Sequence, residues 1–152
     1  MKNRGQLIIT FMMMLFITLA GCKKKSSSEQ PTPIDEKAIS LNGDWYLPNA
    51  GGGMMVDGVD RSINYPDFKM SFSSDQNGGN KRYTTQNAGN LFNTSGSWDW
   101  ASTTKQALAF DDGKTLTIQS LQATRVVFTF NHTSGGIRAG ISGDYIMTLE
   151  KR

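Results

Sequence analysis

From Leu41 onward the apolar residues recur at every second position, and this period of two restricts what the chain can become. Successive side chains of an extended strand point to opposite faces, so such alternation specifies strands packed on one side and wet on the other. Leu41, Gly43, Trp45 and Leu47 share one face of a first strand, opposite Asn42, Asp44 and Tyr46. Phe68, Met70 and Phe72 form the second inward row, and Tyr83 and Thr85 the third, on residues 81–86. Gly96, Trp98 and Trp100 align on the fourth, and residues 107–110 make a short fifth. Leu116 and Ile118 point inward from the sixth, Val126, Phe128 and Phe130 from the seventh, and Tyr145, Met147 and Leu149 from the eighth. No stretch carries a convincing 3.6-residue period, so no amphipathic helix is expected.

The connections carry turn chemistry. Asn77-Gly78-Gly79-Asn80 and Asp111-Asp112-Gly113 supply residues that tolerate positive φ, and Ser134-Gly135-Gly136 opens a last loop. Residues 48–66 read as one long glycine-rich loop that includes Met54 and Met55. A loop of that length in a small domain is usually functional or mobile. Eight sequential antiparallel strands on one core predict an all-β fold, a small up-and-down barrel, since closure removes exposed edges. A two-sheet β-sandwich satisfies the same alternation.

The first 37 residues are of another kind. Lys2 and Arg4 precede residues 7–20, which are apolar apart from Thr10 and Thr18. That run matches the apolar region of a secretory signal and is shorter than the roughly 20 residues a membrane-spanning helix needs. It ends in Leu19-Ala20-Gly21-Cys22, and Cys22 is the sole cysteine. These four residues resemble the lipobox of bacterial lipoproteins, Leu, a small residue, Gly or Ala, then Cys. The resemblance implies a signal peptide over residues 1–21 and lipidation of Cys22, whose thiolate is a nucleophile able to take a diacylglyceryl group. Acylation of the freed amine would follow, and several chains anchor where one binds only marginally. Residues 22–37, with Lys23-Lys24-Lys25, three serines, Pro31 and Pro33, then form a flexible tether before a domain over residues 38–152. Some lipoproteins of the Bacteroidota carry an acidic run after this cysteine as a surface-export signal; none follows Cys22, and the resemblance thereby implies the periplasmic face of an outer membrane.

The basic balance belongs to the leader and tether. The chain holds 16 Lys and Arg against 13 Asp and Glu, but from Ala38 onward the count is ten against ten. A neutral domain lacks the electrostatic footprint of a nucleic-acid binder. The lysine triplet suits lipid head groups or a merely solvated tether. With Cys22 spent on the anchor, no disulfide or cysteine-held metal is available.

No set of catalytic residues assembles in the sequence. His132 is the only histidine, in Asn131-His132-Thr133, and reads as an exposed loop residue with neither a zinc site nor a triad around it. Asp57-Gly58-Val59-Asp60 lacks the further acidic positions of a calcium loop and reads as a turn. No cofactor or metal is expected. Trp98 and Trp100 either fill the core or stack on an apolar or glycan ligand at a barrel mouth. Met54 and Met55 either cap the barrel or give an adaptable contact surface.

The run Leu41-Asn42-Gly43-Asp44-Trp45-Tyr46-Leu47, the later Gly96-Ser97-Trp98-Asp99-Trp100, the approach Leu121 to Phe130 and the closing Tyr145-Ile146-Met147-Thr148-Leu149-Glu150 resemble the lipocalin-like domains of Bacteroidota lipoproteins. The resemblance implies a small barrel or half-open calyx, with Trp45 closing one end and a basic residue, Arg125 or Arg152, packed over it. It implies no reaction. The expected protein is therefore a lipid-anchored, non-catalytic envelope lipoprotein whose barrel binds a small or apolar ligand. The alternative is a structural or accessory subunit of an outer-membrane complex that binds an envelope protein partner.

Overall fold

The structure is a computed structural model and describes residues 33–133 and 141–152. The leader, Cys22, the tether as far as Thr32 and the loop opened by Ser134 lie outside the described residues. A short helix, α1 (Glu36–Leu41), comes first. Ten strands follow: β1 (Gly43–Tyr46), β2 (Met54–Val56), β3 (Val59–Asp60), β4 (Lys69–Ser73), β5 (Arg82–Gln86), β6 (Ser95–Trp100), β7 (Ala107–Phe110), β8 (Thr115–Leu121), β9 (Arg125–His132) and β10 (Gly143–Lys151).

Eight of them close a barrel. The antiparallel order runs β1, β4, β5, β6, β7, β8, β9, β10, and β10 pairs back onto β1 through Trp45 with Lys151 and Tyr46 with Glu150. That closing pair decides for the barrel and against the sandwich. The inward rows are those the alternation specifies: Phe68, Met70 and Phe72, Tyr83 and Thr85, Val126, Phe128 and Phe130, and Tyr145, Met147 and Leu149 are all buried.

Three local readings are corrected. Leu41 does not begin a strand; it ends α1, whose start is capped by the Asp35 carboxylate accepting from the Ala38 amide at 3.2 Å. Ala38 and Leu41, three positions apart, share the helix face that packs into the core. A six-residue helix with two core-facing positions leaves no visible period, which is why the alternation masked it. The folded domain consequently starts before residue 38, and Asp35 to Lys37 belong to it rather than to a tether.

The long loop over residues 48–66 is also corrected, since it contains a hairpin. β2 pairs with β10 through Met54 with Met147 and Val56 with Tyr145, and β3 pairs with β2. Asp57 and Gly58 join these strands with φ of 48° and 79°. Positive φ at both central residues is the tight turn whose twist matches a hairpin, and Asp-Gly is a preferred pair there. Finally, β8 runs on to Leu121 past an irregularity between Ile118 and Ser120, where one extra residue shifts the register.

β1 and β2 thus lie end to end along the same edge of β10. The wall divides there: β1 continues into β4 and closes the barrel, while β2 and β3 form a flap.

Candidate functional site

The barrel interior is filled by its own side chains. Tyr83 stacks on Phe110 with ring centroids 4.3 Å apart, and Phe130 on Tyr145 at 4.8 Å. Phe72 meets Trp98 edge-on at 5.8 Å and lies 6.1 Å from Phe128. Ala38 and Leu41 of α1 belong to this core, and so do Tyr65, Phe68, Leu91 and Phe92 from the connecting loops and their edges. Phe92 packs on both Phe110 and Phe130.

Trp98 and Trp100 sit on the inward side of β6. Trp98 is buried, and its indole nitrogen donates to the Arg82 carbonyl at 3.2 Å. Trp100 packs edge-on against it at 5.1 Å and donates its own Nε1 to the Asp35 carboxylate at 2.5 Å. Lys105 Nζ reaches the same carboxylate at 3.0 Å, while Lys81 lies 3.8 Å from it and 3.1 Å from Asp99. Burial works to raise the Asp35 pKa, but the Trp100 and Lys105 hydrogen bonds, the Ala38 amide and the Lys105 charge bring it below the ordinary carboxylate value. Trp100 therefore ties the start of α1 to the barrel, with Trp98 packed behind it.

Trp45 is fully buried and donates Nε1 to the Leu41 carbonyl at 2.7 Å. Its basic neighbour is Lys151, whose Nζ lies 4.8 Å over the ring. Neither Arg125 nor Arg152 takes that place; the guanidinium of Arg152 lies 5.2 Å over Tyr46, on the outer wall. Met54 is fully buried against β10, whereas Met55 is half-buried opposite Ile146.

Where the flap leaves the wall, a cleft of about 600 Å³ opens, lined from both sides of the division. Tyr46, Lys69, Gln86 and Arg152 come from the barrel strands and their ends, and Asp60, Ser62 and Ile63 from the flap and the 3-10 turn Ser62–Asn64. Arg152 is held by the Asn49 side chain at 2.5 Å and by the Leu47 carbonyl at 3.3 Å. Lys69 is paired with Asp44 at 3.4 Å. Ile63 is 89% exposed.

The flap's root is a hydrogen-bonded hub. Asp60 accepts from the Ser62 hydroxyl at 2.6 Å, the Ser62 amide at 2.9 Å and the Gly52 amide at 2.8 Å. Those bonds hold its pKa below the ordinary value, the Ser62 hydroxyl contributing most. Ser62 Oγ accepts in turn from the amides of Gly53 and Met54, both at 3.0 Å. Gly51 and Gly52 meet the hub with φ of 82° and 72°, a region that costs little only without a Cβ. Asp57 and Asp60 do not converge: Asp57 Oδ1 accepts from the Asp144 amide at 2.9 Å. Among the described residues no group of three His, Cys, Asp or Glu side chains could hold a metal ion.

His132 ends β9 rather than standing in a loop, and its ring lies edge-on to Tyr145 at 6.1 Å. Burial first, and then the Lys114 charge, push its pKa below the ordinary histidine value. No protein-family model, curated protein or solved structure matches the chain.

Proposed function

We propose that this protein is a lipid-anchored, non-catalytic lipoprotein of the cell envelope, held by acyl chains on Cys22 at the periplasmic face of an outer membrane. It recognises its ligand on the outer wall of a lipocalin-like barrel, in the cleft beside Tyr46 and Arg152. The observation that carries this reading is the packed interior: Tyr83, Phe110, Phe128 and Phe130 occupy the space a calyx ligand would take. The outer cleft is within the roughly 300–1,000 Å³ of small-molecule sites and combines an aromatic ring with a few convergent polar groups. Among the described residues no helix is long and apolar enough to cross a membrane.

Two measurements test it. Cys22→Ala should abolish processing and release the protein from membranes; retention with unchanged processing overturns the anchor. An apolar dye such as a fluorescent fatty acid should gain no fluorescence with the folded full chain, and uptake into the barrel overturns recognition at the outer wall.

The exposed Ile63 at the cleft's lip favours a second reading, an accessory subunit that docks an envelope protein through the flap. Stoichiometric recovery of one protein partner, lost in Ile63→Ser, would decide for it.

A further inference from the structure

We infer that the cleft between flap and wall takes a neutral carbohydrate, and this rests on the proposed role of that cleft as the recognition site. The first reason is charge. The charged groups on its lining are Asp60 and Asp67 against Lys69 and Arg152, which balance. Asp60 accepts from the Gly52 and Ser62 donors, Lys69 pairs with Asp44, and one guanidinium nitrogen of Arg152 donates to Asn49 and the Leu47 carbonyl. The lining therefore presents no net charge that would draw an ionic ligand of either sign.

The second reason is the remaining polar surface. Asn49, Gln86 and Asn87 also line the cleft. A primary amide offers two donors and an acceptor in one plane, which matches the donor-and-acceptor character of sugar hydroxyls. Gln86 ends β5 with its side chain on the outer, exposed face, beside Lys69 in register. The third is the apolar share. The Tyr46 ring and the exposed Ile63 supply faces against which the C–H side of a pyranose packs, and Arg152 fixes the Tyr46 ring in place. Asn49 Oδ1 accepts from Arg152 and Asn87 Nδ2 donates to the Asp67 carbonyl, so the Gln86 amide is the one a purely aliphatic ligand would cover without pairing, whereas a sugar satisfies both kinds of surface.

The test is NMR on the full isotope-labelled chain in detergent, following the side-chain amides of Asn49, Gln86 and Asn87. Cellotetraose, xylotetraose and a trimer of N-acetylglucosamine are the neutral probes; oligogalacturonate and tetra-alanine are the anionic and peptide comparisons. At least one neutral sugar is expected to shift these signals, with binding weakened about tenfold or more in Gln86→Ala, an exposed strand-end change that leaves the core intact, and in Tyr46→Ala. Shifts from oligogalacturonate or the peptide alone overturn the carbohydrate assignment while leaving the cleft as a recognition site. Silence from every probe overturns the assignment as well, and dye uptake into the barrel in the same preparation would identify failure of the underlying reading.

Discussion

The indole nitrogen of Trp100 donates to the Asp35 carboxylate at 2.5 Å, across 65 residues of chain. The acceptor is also the N-cap of α1, so one side chain begins the helix and ties it to the barrel. Removing it should undo both. Asp35→Ala is expected to cost about 1–2 kcal/mol by the usual range for a lost cap, read as a shift of the urea midpoint at pH 7. Trp100→Phe should cost less, since the ring packing survives and only the hydrogen bond goes.

The same carboxylate gives a pH signature. Its folded pKa is depressed, so its contribution is complete above the unfolded carboxylate value of about 3.9 and vanishes as pH falls through the folded value. The stability gap between wild type and Asp35→Asn should therefore be constant from pH 7 to about pH 5 and close in more acid solution. A gap that persists at acid pH would sink the assignment.

Alkaline titration should report on two buried tyrosines. Burial, then the Asp112 and Asp111 charges, pushes the Tyr83 hydroxyl up to about 12, and its oxygen has no hydrogen-bond partner among the described residues. Burial and the Tyr65 hydroxyl also raise Tyr145. Both stay protonated in the fold after an unfolded chain has lost those protons near pH 10, so stability is intact below about pH 10 and falls above it. Absorbance at the phenolate band should show late-titrating phenols that rise together with unfolding.

Lys151 over Trp45 is crowded by design. A Cβ on Gly43 would lie 2.9 Å from Lys151 Cε, and Gly43 has φ of +121°. Gly43→Ala should displace the lysine and strain the backbone, at about 1–3 kcal/mol. Lys151→Met, which keeps the stem, should lose the cation's attraction, about 0.5–2 kcal/mol, together with the Nζ hydrogen bond to the Ser40 carbonyl. Denaturation midpoints of the two variants check the order.

The flap should open without the barrel. Ser62→Ala deletes the oxygen that accepts from Gly53 and Met54, so hydrogen exchange at those two amides should accelerate while Phe128 and Met147 amides keep their protection. Uniform acceleration would mean that the flap is one cooperative unit with the barrel.

Much of this fold is legible in the residues because alternation registers burial directly. The Phe68–Phe72 and Val126–Phe130 rows are read correctly since each strand has one wet face. Met54-Met55-Val56 escapes because it is apolar at every position and its partner, β10, lies ninety residues on in sequence. Asp57-Gly58 carried the hairpin signal, yet strands of three and two residues give it nothing visible to join. The cleft is less legible still. Tyr46 reads only as an outward residue, and Arg152 as a possible cap for Trp45. What brings them together with Ile63 and Gln86 is the division of the wall along β10, a tertiary event with no local signature.

The β1–β10 pairing also sets an order of events. Strands β4 to β10 are a meander in which each forms beside its predecessor, so their contacts close short loops. Joining Trp45 to Lys151 closes nearly the whole domain at once, and loop-closure entropy makes such a contact the slow one. The barrel should therefore zip as an open curved sheet and seal last at Trp45, so that substitutions at Phe128 retard folding while those at Trp45 chiefly hasten unfolding.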